Sequence, residues 1–222
     1  DPAARSGVDE GEKEDTEVCR YDGAARRRQA RTILANVQER SEVRAATLRP
    51  GPAYSRIVRR PRPERPGPGQ ESVWDYPRPP ALEETHELVE VELGGMVIAR
   101  STRGWRVLET SHPPTYYLPR EAFVDGALVP TQGSSHCEWK GQAAYWDVVA
   151  GGRRSPRAAW SYADPYEEYA RLRGAVAFFA GRVDACWFGE ERAIPQPGGF
   201  YGGGITSRVV GPFKGDPGSE AW

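Results

Sequence analysis

The distribution of tryptophan and arginine divides this chain into two parts of very different composition. All seven tryptophans lie at or after Trp74, whereas residues 1–70 hold 14 of the 27 arginines and few large apolar side chains. A core needs large apolar side chains, so only the second part can bury one. We therefore predict a disordered or partly helical Arg/Pro-rich extension and linker over residues 1–70 and a folded domain over residues 71–222.

The extension has the composition of an unfolded tail followed by a linker. Residues 1–23 are acidic and lack periodicity, and residues 50–69 contain six prolines among arginines, which favours polyproline II. A narrow apolar stripe predicts a partly formed helix over residues 24–48. The basic side chains of the extension could attract nucleic acid, but few aromatic side chains are interleaved with them. Arginine also outnumbers lysine 27 to 3 along the whole chain, so the arginines of the extension are not a special feature of it. The sequence therefore argues against a nucleic-acid partner.

The cysteines and the hydropathy pattern indicate a cytoplasmic protein. Cys19, Cys137 and Cys186 are odd in number and form no CxxC pair, which argues against a disulfide scaffold or a zinc site and suits a reducing compartment. No apolar run approaches the roughly eighteen residues of a membrane span. We expect no metal, no cofactor and no membrane partner, and the sequence leaves the oligomeric state open.

Short apolar segments between glycine and proline turns predict a mostly β domain. The clearest hairpin joins residues 88–93 to residues 96–99 through the Gly94-Gly95 turn. Further strands are predicted at residues 105–109, 116–118, 127–129, 136–149, 158–161, 175–180 and 184–188. We expect one small β-barrel or a folded-over sheet, with residues 195–222 wrapping it as coil.

One short helix is predicted after the strand at residues 158–161. Asp164 is a residue type preferred at an N-cap, Pro165 would occupy the first helical position, and Glu167 follows three residues after the cap. Gly174 then predicts the end of the helix. This is the only helix predicted in residues 71–222.

Residues 135–149 are predicted to form the central strand of the domain. Neighbouring side chains of a strand face opposite sides, which would direct Cys137 and Trp139 into the core and His136 and Lys140 to the other face. Lys140 stands out in a chain with so few lysines, because a compact ammonium binds carboxylate or phosphate, or forms a Schiff base when desolvated. The alternative is a solvated lysine that covers a neighbouring aromatic ring.

Six separated motifs carry a resemblance to a known family. They are VWDYPRPP, RVLETSHPPTYYLP, CEWKGQAAYWDV, AWSYADP, AVAFF and GGFYGGGITSRVVGPFKG. Together they resemble, over residues 71–222, the bacterial family catalogued as domain of unknown function 427. The resemblance implies a tent-like fold of two antiparallel sheets, similar to the Mss-four-like and cereblon-type domains. Many of those domains hold zinc through two CxxC pairs, which this sequence lacks.

The aromatic and charged residues of the predicted strands predict an aromatic-walled pocket for a small polar ligand. Any chemistry there would involve Lys140, Glu109 or Cys137. The predicted ligand-binding residues are Glu109, Tyr117, Lys140, Tyr145, Trp160 and Tyr162. Two simpler interpretations stay open: Glu109 and Lys140 form a structural ion pair, and Cys137 is a structural cysteine.

A second hypothesis is a non-catalytic module that grips a peptide or protein. It would use an exposed rim rich in tyrosine, tryptophan and proline, formed by Trp74, Tyr76 and Tyr116. An enclosed pocket that contains Lys140 and Glu109 would favour the first hypothesis over this one.

Overall fold

A computed structural model describes residues 61–219 and residue 222. The disorder and the helix predicted within residues 1–60 lie outside the described residues. The last part of the predicted linker, residues 61–70, is mostly exposed but contacts the domain at two points. The Glu64 amide donates to the Gly211 carbonyl at 2.9 Å, and Gln70 Nε2 donates to the Ser207 carbonyl at 2.6 Å.

Within the described residues, strands account for most of the regular structure, as predicted. They are β1 (Glu71–Ser72), β2 (Ala81–Thr85), β3 (Val89–Leu93), β4 (Met96–Ser101), β5 (Gly104–Leu108), β6 (Thr115–Leu118), β7 (Leu128–Cys137), β8 (Gly141–Ala150), β9 (Arg153–Tyr162), β10 (Val176–Phe178), β11 (Ala185–Phe188), β12 (Glu191–Arg192), β13 (Ile194–Pro195), β14 (Gly204–Ile205) and β15 (Val209–Val210). Three short 3-10 segments occur at Arg120–Ala122, Glu167–Leu172 and Ala180–Arg182.

Two antiparallel sheets contain the longer strands. The larger sheet has seven strands in the order β2-β5-β6-β10-β9-β8-β7, and the smaller has four in the order β12-β11-β3-β4. Neither sheet closes on itself, because β2 does not pair with β7 and β12 does not pair with β4. The mostly β fold is therefore confirmed, whereas the barrel version of the prediction is wrong.

The hairpin at Gly94-Gly95 is confirmed, and the backbone there explains both glycines. Their φ angles are 62° and 74°, in the left-handed region that a tight hairpin turn requires. A Cβ on Gly94 would also lie 2.4 Å from the carbonyl oxygen of Ala150, so a larger residue would push the turn away from the seven-stranded sheet.

The two faces of the seven-stranded sheet belong to two separate hydrophobic clusters. Tyr116 joins the cluster that connects the two sheets, where its ring stacks on Phe188 of β11 with centroids 4.0 Å apart. Its neighbour Tyr117 belongs to the second cluster, together with Trp160 and Tyr162. This alternation follows from the pleat of the strands. It leaves one aromatic face of the sheet directed away from the four-stranded sheet.

The prediction of one central strand over residues 135–149 is wrong. Strand β7 ends at Cys137 and β8 begins at Gly141, and the two pair as a hairpin with Cys137 opposite Gly141. Gly141 has a φ of 92°, so this glycine reverses the chain where the prediction expected only a bend. Residues 138–140 consequently form a turn, in which strand alternation does not apply.

The predicted helix is present but differs in type and starting point. It is a 3-10 segment over Glu167–Leu172 that is interrupted at Tyr169, and no side chain caps its start. Its buried residues Tyr169 and Leu172 are three positions apart, the spacing that repeats on one side of a 3-10 helix. Asp164 does not cap the segment; its carboxylate lies 2.8 Å from Arg173.

Short pairings complete the domain, and the sequence pattern predicted none of them. Strand β2 was missed and forms the edge of the seven-stranded sheet, where it pairs with β5. The last residues are mostly coil, as predicted, but β14 pairs with β13 and β15 pairs in parallel with β1. Two-residue strands are too short to show periodicity. None of the helical segments that the structure describes has the length and apolar character needed to cross a bilayer.

Candidate functional site

A cavity of about 440 Å³ lies on the aromatic face of the seven-stranded sheet. This volume is within the range of small-molecule sites. The cavity brings together all the candidate residues predicted from the sequence, namely Glu109, Tyr117, Cys137, Lys140, Tyr145, Trp160 and Tyr162. Residues that were not predicted also line it, among them Arg78, His112, Trp139, Tyr201 and Lys214.

Large aromatic side chains of β6 and β9 form one wall of the cavity. Strand β10 runs between them, and its small residue Ala177 pairs with both Tyr117 and Trp160, which leaves space for the two rings to meet. The Trp160 indole N–H donates to Tyr117 Oη at 3.1 Å, and the rings of Tyr117 and Tyr162 are 6.3 Å apart. Burial raises the pKa of both tyrosine hydroxyls, so they stay protonated at neutral pH.

The turn between β7 and β8 presents Trp139 and Lys140 to the cavity. Lys140 is only 7% exposed, which argues against the solvated lysine of the simpler interpretation. Its Nζ lies 5.8 Å from the ring centroid of Tyr169, and no described residue forms a hydrogen bond or ion pair with it. The indole N–H of Trp139 is also buried, again with no acceptor among the described residues. These N–H groups are the most unusual feature of the cavity, since buried polar groups are nearly always paired.

Glu109 does not pair with Lys140. It follows β5, which three strands separate from β8, and its carboxylate instead lies 3.1 Å from the guanidinium of Arg78. The adjacency of strands that a Glu109–Lys140 pair would need is therefore absent. The negative charge of Glu109 is already matched by Arg78, whereas no described residue matches the positive charge of Lys140.

A buried histidine lines another part of the cavity. His112 is 8% exposed, and Gln196 Nε2 donates to its Nδ1 at 3.0 Å. Desolvation, reinforced by the charges of Lys214 and Arg78, lowers the pKa of His112 to about 3. The ring is therefore neutral at physiological pH.

Lys214 brings a second ammonium to the cavity. Its Nζ donates to the carbonyl oxygen of Trp222 at 2.7 Å and lies 5.8 Å from the ring of Tyr201. Burial, with a contribution from nearby Arg78, lowers the pKa of Lys214. Lys214 thus has a hydrogen-bond acceptor, whereas Lys140 has none in the part of the chain that the structure describes.

The remaining predicted residues lie where β7 meets the turn. Cys137 is half-buried, and its neighbour His136 is exposed, with Nε2 at 3.4 Å from Tyr166 Oη. Both line the cavity, so the prediction that these neighbours serve opposite faces is wrong, because the strand ends there. Tyr145 Oη lies 2.8 Å from Ser135 Oγ. Among the residues that the structure describes, no three metal-ligating side chains converge.

One signal in the sequence could have found part of what was missed. Lysine is rare in this chain, and the argument that selected Lys140 applies equally to Lys214. His112 lies in a motif that was recognised, but its contact with Gln196 joins residues 84 positions apart. No local pattern reports a contact of that kind.

Two of the three side chains of the aromatic rim in the interaction hypothesis are buried, and Trp74 is half-buried. Tyr76 and Tyr116 are 8% and 4% exposed, and their hydroxyls donate to Glu71 and Glu87. Trp74 donates its indole N–H to the Pro212 carbonyl at 2.8 Å. These side chains hold the domain together and present no continuous surface to a partner.

Comparison with known proteins agrees with four of the six motifs, and the first and last motifs lie outside the matched residues. Residues 81–189 match the model of the family described as Domain of unknown function (DUF427), and these residues include most of the cavity's sheet wall and its turn. A search of curated proteins finds no match. The chain therefore contains a domain of the DUF427 family, which confirms the family predicted from its motifs.

Proposed function

We propose that this domain binds a small polar ligand in the cavity, and that Lys140 is its main polar contact. The observation that carries the proposal is the Lys140 ammonium, which lines the cavity on a side chain only 7% exposed and has no partner in the described residues. Burial of an unpaired charge costs several kcal/mol. A protein keeps such a group where function requires it, and a ligand that pairs with the ammonium would offset the cost.

The surroundings of Lys140 support binding of a small molecule. Aromatic rings cover the walls, and a few polar groups converge on the same space, which is the usual composition of small-molecule sites. The ion pair between Arg78 and Glu109 adds fixed charges at the edge of that space.

The first test compares the stability of the full chain with that of Lys140→Met. Methionine keeps the length and apolar stem of lysine but removes the charge, so the variant is expected to be more stable than the parent in urea unfolding. The matched control, Arg100→Met, removes an exposed charge from the four-stranded sheet and should change stability little. A clear loss of stability in Lys140→Met would mean that the lysine is structural, and the proposal would be wrong.

The second test is a melting-temperature screen of the full chain against nucleotides, amino acids, organic acids and sugars. A compound that binds only the folded state raises its melting temperature. We expect at least one class of compound to do so in the parent and in Arg100→Met but not in Lys140→Met. Shifts that persist in Lys140→Met would refute a role for the lysine.

We also infer that the protein is bacterial and cytoplasmic. The motif resemblance supports the first inference, and the free thiols of Cys137 and Cys186 suit a reducing compartment. Fractionation of cells that express the full chain, with immunodetection, tests its location. Recovery outside the cytoplasm would contradict that inference.

A further inference from the structure

Three side chains that line the cavity carry N–H groups with no acceptor in the described part of the chain, and the Trp139 Nε1 atom is fully buried. Lys140 Nζ carries three such N–H bonds, and Trp139 Nε1 carries one. The third group is His112, whose Nδ1 receives a hydrogen bond from Gln196. A neutral imidazole that accepts at Nδ1 carries its proton on Nε2.

The orientation of Gln196 determines the histidine tautomer. Gln196 Oε1 accepts from the Gly203 amide at 3.2 Å, and its Nε2 donates to the Lys214 carbonyl at 2.8 Å. Reversal of the amide would place two acceptors together at Lys214 and two donors together at Gly203. Gln196 must therefore donate to His112, and Nε2–H of the histidine is the donor left for the cavity.

Among the described residues, the charges around the cavity sum to an excess of positive charge. Three cations line it, namely Arg78, Lys140 and Lys214, and the carboxylate of Glu109 pairs with the first of them. The other acid, Glu138, is solvent-exposed. The lowered pKa of His112 results first from burial and then from the charges of Lys214, Arg78 and Lys140, which agrees with a positive field at this ring.

We propose that the cavity binds the anionic group of a small organic acid, a carboxylate or a phosphate. The Lys140 ammonium pairs with the anion, and the N–H groups of Trp139 and His112 donate to its oxygens. This inference rests on the proposed function and specifies its ligand. An anion fits because its oxygens only accept hydrogen bonds, whereas the unpaired groups only donate.

The rest of the cavity predicts that the part of this organic acid outside its anionic group is apolar or planar. The walls are aromatic, and Phe200 at the edge of the cavity is 75% exposed, with its ring 5.0 Å from that of Tyr201. An exposed phenylalanine has apolar surface to gain from contact with a ligand. A purely inorganic anion would leave this surface uncovered.

The test uses four probes that share a benzene ring and differ in the group attached to it. Benzoate and phenyl phosphate carry an anion, benzamide is neutral and benzylamine is a cation. Binding to the full chain is measured by melting-temperature shift and calorimetry, with inorganic phosphate as a fifth probe. We expect one or both aromatic anions to bind more tightly than benzamide, benzylamine or inorganic phosphate. The comparison of benzoate with phenyl phosphate distinguishes a carboxylate ligand from a phosphate ligand.

Two variants test the donors. Lys140→Met is expected to abolish the binding of the aromatic anions, whereas the control Arg100→Met leaves it unchanged. Trp139→Phe keeps an aromatic ring but removes the N–H, and should weaken anion binding about tenfold, the effect of one charge-assisted hydrogen bond.

The outcomes separate this inference from the proposed function. If benzamide or benzylamine binds as tightly as the anions, and Lys140→Met removes that binding, the cavity binds ligands but the anionic class is wrong. If neither the probes nor any compound of the wider screen binds in a manner that depends on Lys140, both proposals are overturned. Unchanged anion affinity in Trp139→Phe would overturn the assignment of that donor.

Discussion

Mild acid is expected to destabilise this domain through His112. The folded state holds the pKa of this histidine at about 3, because the ring is buried and cations surround it, whereas the ordinary value is 6.5. Between these two values the unfolded chain binds a proton that the folded chain does not. The free energy of unfolding therefore decreases as the pH falls from about 6.5 towards about 3.

The size of the effect follows from the same two values. One proton changes the free energy of unfolding by about 1.4 kcal/mol for each pH unit between the two pKa values. The free energy of unfolding should therefore fall by about 2 kcal/mol from about pH 7.5 to about pH 5. Most carboxylates titrate below this interval, which isolates the contribution of histidine. The loss is a measurable fraction of the roughly 5–15 kcal/mol typical of folded proteins.

The measurement is urea unfolding of the full chain at these two pH values, followed by tryptophan fluorescence. His112→Gln should reduce the difference in unfolding free energy between the two pH values, because the titrating group is gone. His86→Gln, which replaces an exposed histidine, should behave as the parent does. Equal stability of the parent at both pH values would refute the assignment of His112 as a buried neutral histidine.

Three further predictions concern other parts of the domain. Asp147 is 5% exposed, and a backbone N–H of β9 lowers its pKa. Asp147→Asn should therefore lower the free energy of unfolding in urea by about 1–3 kcal/mol, and unchanged stability would contradict this. A Cβ on Gly202 would lie 2.1 Å from the Trp160 ring, so Gly202→Ala should lower the melting temperature and change near-UV circular dichroism, and an unaltered spectrum would count against it. Cys186 is 1% exposed, and burial raises the pKa of its thiol. Mass spectrometry of the native protein treated with iodoacetamide should therefore find Cys186 unmodified and half-buried Cys137 modified. Early labelling of Cys186 would contradict this prediction.

Sequence patterns predicted the fold well wherever local chemistry decides it. The hairpin at Gly94-Gly95 was predicted because a two-residue glycine turn between alternating segments has few other conformations. The turn at residues 138–140 was missed because a single glycine, Gly141, is equally compatible with a bulge and with a reversal. The pairing of β7 with β8 decides between them.

The candidate residues were predicted more successfully than their relations to one another. Residue type and rarity selected Lys140, and the cavity does contain it. Its expected partner Glu109 pairs with Arg78 instead, because the order of strands in the sheet separates β5 from β8. Adjacency in a sheet depends on long-range pairing, which periodicity along one segment does not report.

The sequence by itself determined the composition of this protein's parts: an arginine- and proline-rich extension, a mostly β domain of the DUF427 family, and a set of aromatic and charged residues fit for a site. Propensity and side-chain chemistry are properties of the residues, and the chain carries them in any conformation. Only the tertiary structure decided that Lys140 is buried without a partner among the described residues and that burial and nearby cations hold His112 neutral. Both depend on desolvation and on contacts between distant residues. These arise only when the seven-stranded sheet and the segment that contains Phe200, Tyr201 and Lys214 enclose the same space.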